Sequence, residues 1–308
     1  MTSAEPDDEL TLRCAPWTQA QGVDPIGSAT RFDVLVLVEH PLPWPDDVSE
    51  LPLLAGRSAP GVRIMAVAPE DRAGRRAGHR TVVHWRRTGT NRFVGTDHLV
   101  PERDLPALLD DLLAEPDADH RDRPSAVGLA PPEVLVCAHG RRDPCCGRWG
   151  TLLHLELADR WSDVRTWRCS HTGGHRFAPT AITLPDGRAW AYAEPELLDQ
   201  VVHRRGPLPP LAEHDRGTSA LSPFAQVVER AVFHAVGWRW LDETVTAVEE
   251  VVDDDGQAAT VTLRWPGGSA TGRVIVDRLV PVLVCGEPPE AATKSSPDLA
   301  LVDLVLHA

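Results

Sequence analysis

Four residues near the middle of the chain belong to the types that bind transition metals: Cys137, Cys146, His171 and His175. The two cysteines flank a polar loop, and the two histidines are separated by three residues. Two thiolates and two imidazoles can complete a tetrahedral zinc site. The same ligands can hold a [2Fe–2S] cluster, with one iron on the cysteines and the other on the histidines. The residue types alone leave both possibilities open.

Several neighbours of these ligands are candidates for contacts that orient or tune a bound metal. Glycines between the histidines disfavour a helix there, since each costs about 1 kcal/mol relative to alanine, and they let backbone amides approach a cluster closely. Adjacent side chains on extended backbone point in opposite directions, so one of the two neighbouring cysteines is expected to bind. Cationic groups nearby would favour a reduced cluster, although a solvated loop is the plain alternative for the residues between the cysteines. The candidates for this supporting role are His139, Arg141, Cys145, Gly173 and Gly174.

Three further cysteines lie outside this group, at positions 14, 169 and 285. Cys169 falls inside a predicted strand and is expected to be a small core residue. Cys14 and Cys285 are distant in sequence from the other cysteines, and each is expected to be structural rather than a ligand. Because clustered cysteines in a reducing compartment are more often metal-binding or redox-active than disulfide-bonded, we expect the central cysteines to bind metal or react.

Composition excludes several classes of partner and location. The chain of 308 residues has a formal net charge of −14, which argues against binding to nucleic acid or to an anionic membrane. No apolar run approaches the roughly 20 residues that a membrane span needs. The acidic, polar start lacks the basic end and apolar stretch of a secretory signal. These features indicate a cytoplasmic protein.

The first segment, residues 1–125, is predicted to be an N-terminal α/β domain that packs on the next one. Apolar runs at 32–39 and 61–68 are typical of strands buried on both faces. Residues 105–113 have the spacing of a short amphipathic helix, with Asp104 as its N-cap. Strands that alternate with helices predict the α/β fold class.

The second segment, residues 126–210, contains the four candidate ligands. A stretch rich in Pro, Asp and Arg at 115–132 is predicted to be the linker that leads into it. Its pattern then predicts a strand, a helix, a strand, a hairpin and a helix, at residues 134–136, 148–160, 164–169, 181–192 and 194–203. This is the order of elements in a thioredoxin-like core.

The last segment, residues 211–308, is predicted to be a small α+β domain of unknown function. An amphipathic helix at 223–236 precedes three candidate strands, at 245–252, 258–265 and 272–279. Turn sequences rich in Asp, Gly and Pro separate these strands, which predicts a β-meander. No internal repeat is visible in the sequence.

The cysteine and histidine motifs resemble those of the sucrase/ferredoxin-like family, a branch of the thioredoxin-like [2Fe–2S] ferredoxins. The resemblance covers roughly two thirds of the chain, and its metal-binding motifs are specific. It is carried by CAHGRRDPCC at 137–146, SHTGGHRFA at 170–178 and LPDG at 184–187, with weaker support from EHPLPW at 39–44.

This resemblance implies a thioredoxin-like fold that binds one [2Fe–2S] cluster. Ordinary thioredoxin-like ferredoxins use four cysteines, the last two of which are separated by three residues. Here His171 and His175 have that separation, which implies the bis-histidinyl branch of the family. The implied ligands are therefore Cys137, Cys146, His171 and His175.

The implied function is electron transfer, by a ferredoxin-like carrier and not by an enzyme. It would exchange one electron with an unidentified partner protein, a reductase or an acceptor. Histidine ligands are expected to raise its potential above the about −400 mV of plant-type ferredoxins, toward the Rieske range of about −150 to +300 mV. Redox chemistry coupled to an imidazole proton, and redox sensing, are also open to such a cluster. The alternatives are a structural Cys₂His₂ zinc-binding module and a thiol-based redox enzyme, although the C-x-x-C signature of thioredoxins is absent.

Overall fold

A ten-stranded mixed sheet is the largest element of the protein, whose computed structural model describes residues 13–69 and 77–307. A second, four-stranded antiparallel sheet follows it in the chain. The strands of the large sheet are β1 (Val34–Glu39), β2 (Val62–Val67), β3 (His79–Thr88), β4 (Arg92–Pro101), β5 (Ala126–Leu129), β6 (Glu133–Cys137), β7 (Arg165–Cys169), β8 (Ala181–Leu184), β9 (Arg188–Trp190) and β10 (Asp215–Thr218). Those of the small sheet are β11 (Ala247–Val252), β12 (Ala258–Trp265), β13 (Gly268–Pro281) and β14 (Ser295–His307).

Five α-helices of the described residues pack on these sheets. A π-helical turn, Cys146–Gly150, leads directly into the third of them. The helices are α1 (Cys14–Ala20), α2 (Leu105–Ala114), α3 (Thr151–Leu157), α4 (Pro195–Val202) and α5 (Pro223–Val236). Within these residues, no helix is both long enough and apolar enough to cross a membrane.

The large sheet has the strand order β10-β9-β8-β6-β7-β2-β1-β3-β4-β5. In its second half, β6 pairs parallel to β7 and antiparallel to β8, and β8 pairs antiparallel to β9. In its first half, β1 pairs parallel to β2 and antiparallel to β3, and β3 pairs antiparallel to β4. Counted outward from the centre, both halves therefore have the same order of strands. The repeat lies in the order of elements and not in the residues, which is why the sequence does not reveal it.

The two halves meet at the carboxyl ends of β2 and β7. These strands are antiparallel, and Val67 pairs with Cys169. Further backbone hydrogen bonds run from Ala68 N–H to Arg168 O, at 2.8 Å, and from Ser170 N–H to Ala66 O, at 2.8 Å. The carboxyl ends of β1, β2, β6 and β7 consequently converge at the centre of the sheet, where loops from both halves can contact each other.

The small sheet is attached to the large one mainly through α5. Ser222 caps this helix, its Oγ accepting a hydrogen bond from Ala225 N–H at 3.2 Å. The helix contacts β10 on one side and β12, β13 and β14 on the other. Its buried Val228 and Phe233 share one hydrophobic core with Val134 of β6 and Val261 of β12, and each such side chain contributes about 1.5–3 kcal/mol. The last segment is thus packed on the sheet that carries the candidate ligands.

The predicted α/β class is confirmed in its coarse form, as a mixed α/β protein with one large mixed sheet and one small antiparallel sheet. The predicted strands and helices are present, with ends that shift by a few residues. The order of elements predicted for the second segment is also the observed one, from β6 to α4. The thioredoxin-like identity of that segment and the boundaries near residues 125 and 210 remain predictions.

Other local predictions are wrong. The predicted linker contains β5, an edge strand that pairs with β4. Its residues are mostly exposed, so the alternation that marks a half-buried strand is missing. Asp104 stands before α2, but its side chain makes no capping hydrogen bond, and a 3₁₀ turn, Glu102–Asp104, leads into the helix instead.

Candidate metal centre

Cys137 and Cys146 are brought together by a tight turn at the end of β6. Cys137 is the last residue of that strand, and Cys146 is the first residue of the π-helical turn. Glycines allow the turn to fold this closely: a Cβ on Gly147 would lie 2.3 Å from Cα of Gly140, and one on Gly150 would lie 1.8 Å from the carbonyl oxygen of Cys137. The spacing of glycines in this stretch therefore has a steric cause.

The two thiols interact directly, and neither is exposed to solvent. The hydrogen bond from Cys146 is the main factor that lowers the pKa of Cys137, with the His171 ring acting in the same direction against the effect of burial. The same bond raises the pKa of Cys146, and burial raises it further. The interaction between the two thiols therefore favours the thiolate form of Cys137, the form that binds metals.

Asp143 holds the turn and one of the histidines at the same time. Its Oδ1 accepts hydrogen bonds from the backbone N–H groups of Cys145, at 2.8 Å, and Cys146, at 3.1 Å. Its Oδ2 lies 3.0 Å from Nδ1 of His175. A carboxylate on one ring nitrogen fixes the orientation of an imidazole and leaves the other nitrogen free to bind a metal. Nε2 of His175 is therefore the candidate ligand atom.

His171 lies between the cysteine pair and the loop of His175. The centroids of the two histidine rings are 6.3 Å apart. Nδ1 of His171 is buried and has no hydrogen-bond partner of good geometry among the described residues. A buried polar atom without a partner is costly, and a metal ligand role would account for it. Arg63 of β2 fixes the backbone here, donating a hydrogen bond to His171 O at 2.5 Å.

Gly173 and Gly174 have positive φ angles, 90° and 66°. A Cβ on Gly173 would lie 2.3 Å from Oγ1 of Thr30, and one on Gly174 would lie 2.3 Å from Nη2 of Arg216. The structure thus gives these glycines a role in packing against Thr30 and Arg216. The closer approach of their amides to a cluster remains a prediction.

The cationic side chains nearest the cysteine pair come from outside the polar loop. Arg216 is buried and Arg63 is partly buried, and the thiols of Cys137 and Cys146 favour the charged form of Arg216. Burial, together with repulsion from Arg63 and Arg176, nevertheless lowers the pKa of Arg216 to about 10, so it remains charged at neutral pH. Nη1 of Arg216 donates to Gly173 O at 3.0 Å. Sequence analysis missed Arg63 and Arg216 because neither lies near the motifs.

The loop residues predicted to support the metal have different environments. The Arg141 side chain is 68% exposed and pairs with Asp46, its Nε 3.4 Å from Oδ1, so its supporting role beside a metal stays a prediction. His139 is buried, its Nε2 lies 2.7 Å from Pro45 O, and its ring meets Trp44 edge-on at 5.7 Å. The backbone N–H of His139 also donates to Cys137. His139 therefore anchors the loop against the segment that follows β1.

Cys145 belongs to a second group of thiols. Its Sγ lies 3.1 Å from that of Cys285 and 3.9 Å from that of Cys14, and Cys14 lies 3.1 Å from Cys285. Together with Asp143, these residues have ligand atoms within 4.8 Å of one another and could hold a metal ion. That Cys14 and Cys285 are structural rather than ligands therefore stays a prediction, although the structure brings both beside Cys145. Nothing in their spacing could have shown this proximity, because Cys14 and Cys285 are 271 positions apart in the chain.

Cys169 has the environment expected of a core residue. It ends β7, pairs in register with Cys137 of β6 and is fully buried. Burial raises the pKa of its thiol, and the nearby Cys137 raises it further. Cys169 is therefore a neutral thiol beside the candidate centre.

Comparison with known proteins adds an independent finding. The chain is 30% identical over 99 residues to Altered inheritance of mitochondria protein 32 of Meyerozyma guilliermondii, a match that covers 29% of this chain. The chain spans about a third, 35%, of the length of that curated relative. No solved structure matches this chain significantly. The family described as sucrase/ferredoxin-like matches residues 25–216, which is more than half of the chain and includes all four candidate ligands. The chain therefore belongs to the sucrase/ferredoxin-like family.

Proposed function

We propose that this protein is a one-electron carrier with one [2Fe–2S] cluster bound by Cys137, Cys146, His171 and His175. The observation that carries the proposal is a buried pair of interacting thiols beside one imidazole, with a second imidazole oriented by Asp143. Membership of a family described as ferredoxin-like agrees with it. So does the order of elements from β6 to α4, which is that of a thioredoxin-like core.

The donor set fits a centre with two irons better than a single zinc ion. A tetrahedral zinc ion needs donor atoms within about 4 Å of one another. The donors of the four proposed ligands do not gather to within 4.8 Å, as those of the second thiol group do among the described residues. The partnerless Nδ1 of His171 is a further sign that a ligand belongs at this site.

The surrounding charges favour uptake of an electron. A [2Fe–2S] cluster with two thiolates and two neutral imidazoles is uncharged when oxidised and carries one negative charge when reduced. Buried cations stabilise the added charge more strongly than exposed ones, since the local dielectric is low. Arg216 is such a cation and Arg63 is a partly buried one, so we expect a potential above the about −400 mV of plant-type ferredoxins.

Exposure suggests where an electron enters and leaves. The two cysteines are fully buried, whereas the side chain of His175 is 25% exposed. The histidine edge is therefore the part of the site that a partner protein can approach, and we propose that a reductase or an acceptor docks there. Redox sensing by the same cluster is also part of this proposal.

The test is purification in air, followed by iron and acid-labile sulfide analysis and an EPR spectrum after reduction with dithionite. We expect a red-brown protein with two irons and two sulfides per chain, and a rhombic signal of one unpaired electron after reduction. A Cys169→Ser variant is the matched control, because it removes a buried thiol at the same sheet edge that is not a proposed ligand. A colourless protein with zinc at Cys137 and Cys146 would favour the structural module instead. An iron-free protein whose activity is lost on thiol alkylation would favour the thiol enzyme.

A further inference from the structure

Three cysteines from distant parts of the chain converge beside the proposed cluster site without belonging to it. Cys14 is the first residue of α1, Cys145 lies in the loop after β6, and Cys285 lies between β13 and β14. Cys14 and Cys145 are fully buried, and Cys285 is partly buried. Side chains of Ala15, Ala178 and Leu283 surround the group. The site is thus enclosed by apolar residues, with thiols as its main polar atoms.

The separations are close to those of a tetrahedral metal site. Zinc–sulfur bonds of about 2.3 Å at tetrahedral angles place sulfur atoms about 3.8 Å apart. The sulfur atoms of Cys14 and Cys145 are 3.9 Å apart, and each lies at a shorter distance, 3.1 Å, from that of Cys285. A carboxylate ligand on the same ion would have its oxygen about 3.5 Å from a sulfur. Oδ2 of Asp143 lies 3.4 Å from Sγ of Cys14. Three thiolates and one carboxylate would complete four-coordinate geometry.

A disulfide explains the arrangement less well. Sγ of Cys285 is equally distant, 3.1 Å, from those of Cys14 and Cys145. A bond to either would leave the third thiol outside the bridge. If Cys145 and Cys285 were joined, for example, Cys14 would keep its contacts with Asp143, at 3.4 Å, and with Nδ1 of His175, at 3.5 Å. A metal ion uses all three thiols at once, and soft thiolate ligands select zinc over magnesium or calcium.

The electrostatics of the group suit a metal-bound thiolate. The thiol of Cys14 donates a hydrogen bond to Sγ of Cys145, and Sγ of Cys285 lies within hydrogen-bond distance of the same atom. The backbone N–H of Ala15 also donates to Cys145, and that of Cys14 donates to Sγ of Cys285 at 3.5 Å. Such N–H···S bonds stabilise the charge that thiolates bring to a metal site.

We propose that Cys14, Cys145 and Cys285 bind a structural zinc ion, with Asp143 as the fourth ligand. The ion fastens α1 and the segment after β13 to the loop that carries Cys146. Cys14 and Cys285 both lie outside the family match at 25–216, so the site is built from the parts of the chain that extend beyond it. Asp143 contacts His175 as well, and it therefore connects the zinc site with the proposed cluster.

The experiment measures zinc and iron in the same sample of full-length protein from cells grown with added zinc. We expect one zinc per chain, with zinc K-edge absorption fine structure fitted by three sulfurs and one oxygen. Cys14→Ser and Cys285→Ser should each lower zinc affinity by about tenfold or more, as measured by competition with a chelator, while the iron content is retained. Cys169→Ser, a buried thiol outside the group, should keep its zinc.

Three outcomes would overturn the zinc site. They are a protein that contains no zinc and does not take up added Zn²⁺, zinc that both serine variants retain, and a zinc shell with two sulfurs and two nitrogens. If a serine variant does not fold, the zinc absorption spectrum of the unaltered protein still tests whether three sulfurs and one oxygen bind the zinc. Zinc without iron would leave this inference standing and reject the proposed electron carrier, whereas iron without zinc would do the reverse.

Discussion

Oδ2 of Asp143 lies 3.0 Å from Nδ1 of His175 and 3.4 Å from Sγ of Cys14. One buried carboxylate thus contacts a proposed cluster ligand and a proposed zinc ligand. Its other oxygen holds the backbone of Cys145 and Cys146. Asp143 therefore links the two proposed sites, in addition to the direct contact of 3.5 Å between Sγ of Cys14 and Nδ1 of His175.

Asp143→Asn should raise the midpoint potential of the cluster. The amide keeps an oxygen for the backbone N–H groups but removes a negative charge beside His175, so the reduced state becomes easier to reach. A partly buried charge is worth on the order of 1–2 kcal/mol here, or tens of millivolts. Asp46→Asn is the matched control, since its side chain is 66% exposed beside the same loop and water screens its charge. Equal shifts in the two variants, measured by redox titration, would argue against the Asp143 contact.

Cys137→Ser and Cys146→Ser should abolish the cluster, because a hydroxyl is a far poorer iron ligand than a thiolate. Cys145→Ser should keep the iron and lose the zinc, since its thiol faces Cys14 and Cys285. Iron, sulfide and zinc analyses of the three variants check both statements. If Cys145→Ser loses all its iron while Cys146→Ser keeps it, the assignment of the two neighbouring cysteines is reversed.

His171→Cys and His175→Cys should lower the potential. A thiolate in place of a neutral imidazole adds one negative charge beside an iron, which penalises the reduced state. The comparison needs variants with full iron content, and the measurement is again a redox titration. A potential that is unchanged or higher in a fully loaded variant would contradict histidine ligation at that position.

The potential of the unaltered protein should fall as the pH is raised through the alkaline range. Where reduction takes up one proton at a ligand imidazole, the expected slope is about −59 mV per pH unit, the one-electron relation. A cluster bound by four cysteines has no such proton. The double variant His171→Cys/His175→Cys, if it assembles, should therefore show a level potential. A level potential in the unaltered protein would count against the bis-histidine assignment.

Acid should destabilise the first half of the large sheet through His84 and His98. Burial, with repulsion from His120, lowers the pKa of each from 6.5 to about 4. Between these values the unfolded chain binds more protons than the folded one, so stability is lost as the pH falls through that window. Each histidine should lower the free energy of unfolding by about 2 kcal/mol between pH 7 and pH 5.

The measurement is the free energy of unfolding in urea at both pH values. His84→Gln should reduce the difference between them by about 2 kcal/mol, whatever it does to stability at pH 7. His307→Gln, at an exposed position of β14, is the matched control. If the two variants show the same dependence on pH as the unaltered protein, the buried histidines do not titrate as stated.

The sequence predicts those parts of the fold whose signal is local. Apolar runs mark β1 and β2, and turn residues mark the hairpin of β8 and β9. The edge strand β5 is missed because it is short and exposed, and a loop-rich composition hides it. The pairing of β2 with β7 could not be predicted, since the registered contact is between Val67 and Cys169 alone.

In the candidate site, too, the sequence predicts the residues that lie in local motifs and misses those that do not. Cys137, Cys146, His171 and His175 lie in two compact motifs, so their spacing and types are sufficient to nominate them. The two arginines near the cysteine pair, Arg63 and Arg216, come from other strands and carry no motif. The second thiol group depends on the folded path of the whole chain, because its members lie at positions 14, 145 and 285.

The junction between β2 and β7 also bears on how a buried centre can be filled. A cluster donor must reach Cys137, which is fully enclosed and lies in register with Cys169 at this junction. The two halves of the sheet are joined there by a few backbone hydrogen bonds instead of a full-length ladder. The two halves nevertheless share one hydrophobic core, in which Met65 and Val67 of β2 are buried together with Leu135 and Trp167. Parting the halves would expose that apolar surface to water. A donor would therefore reach Cys137 more readily before the two halves have packed together than afterwards.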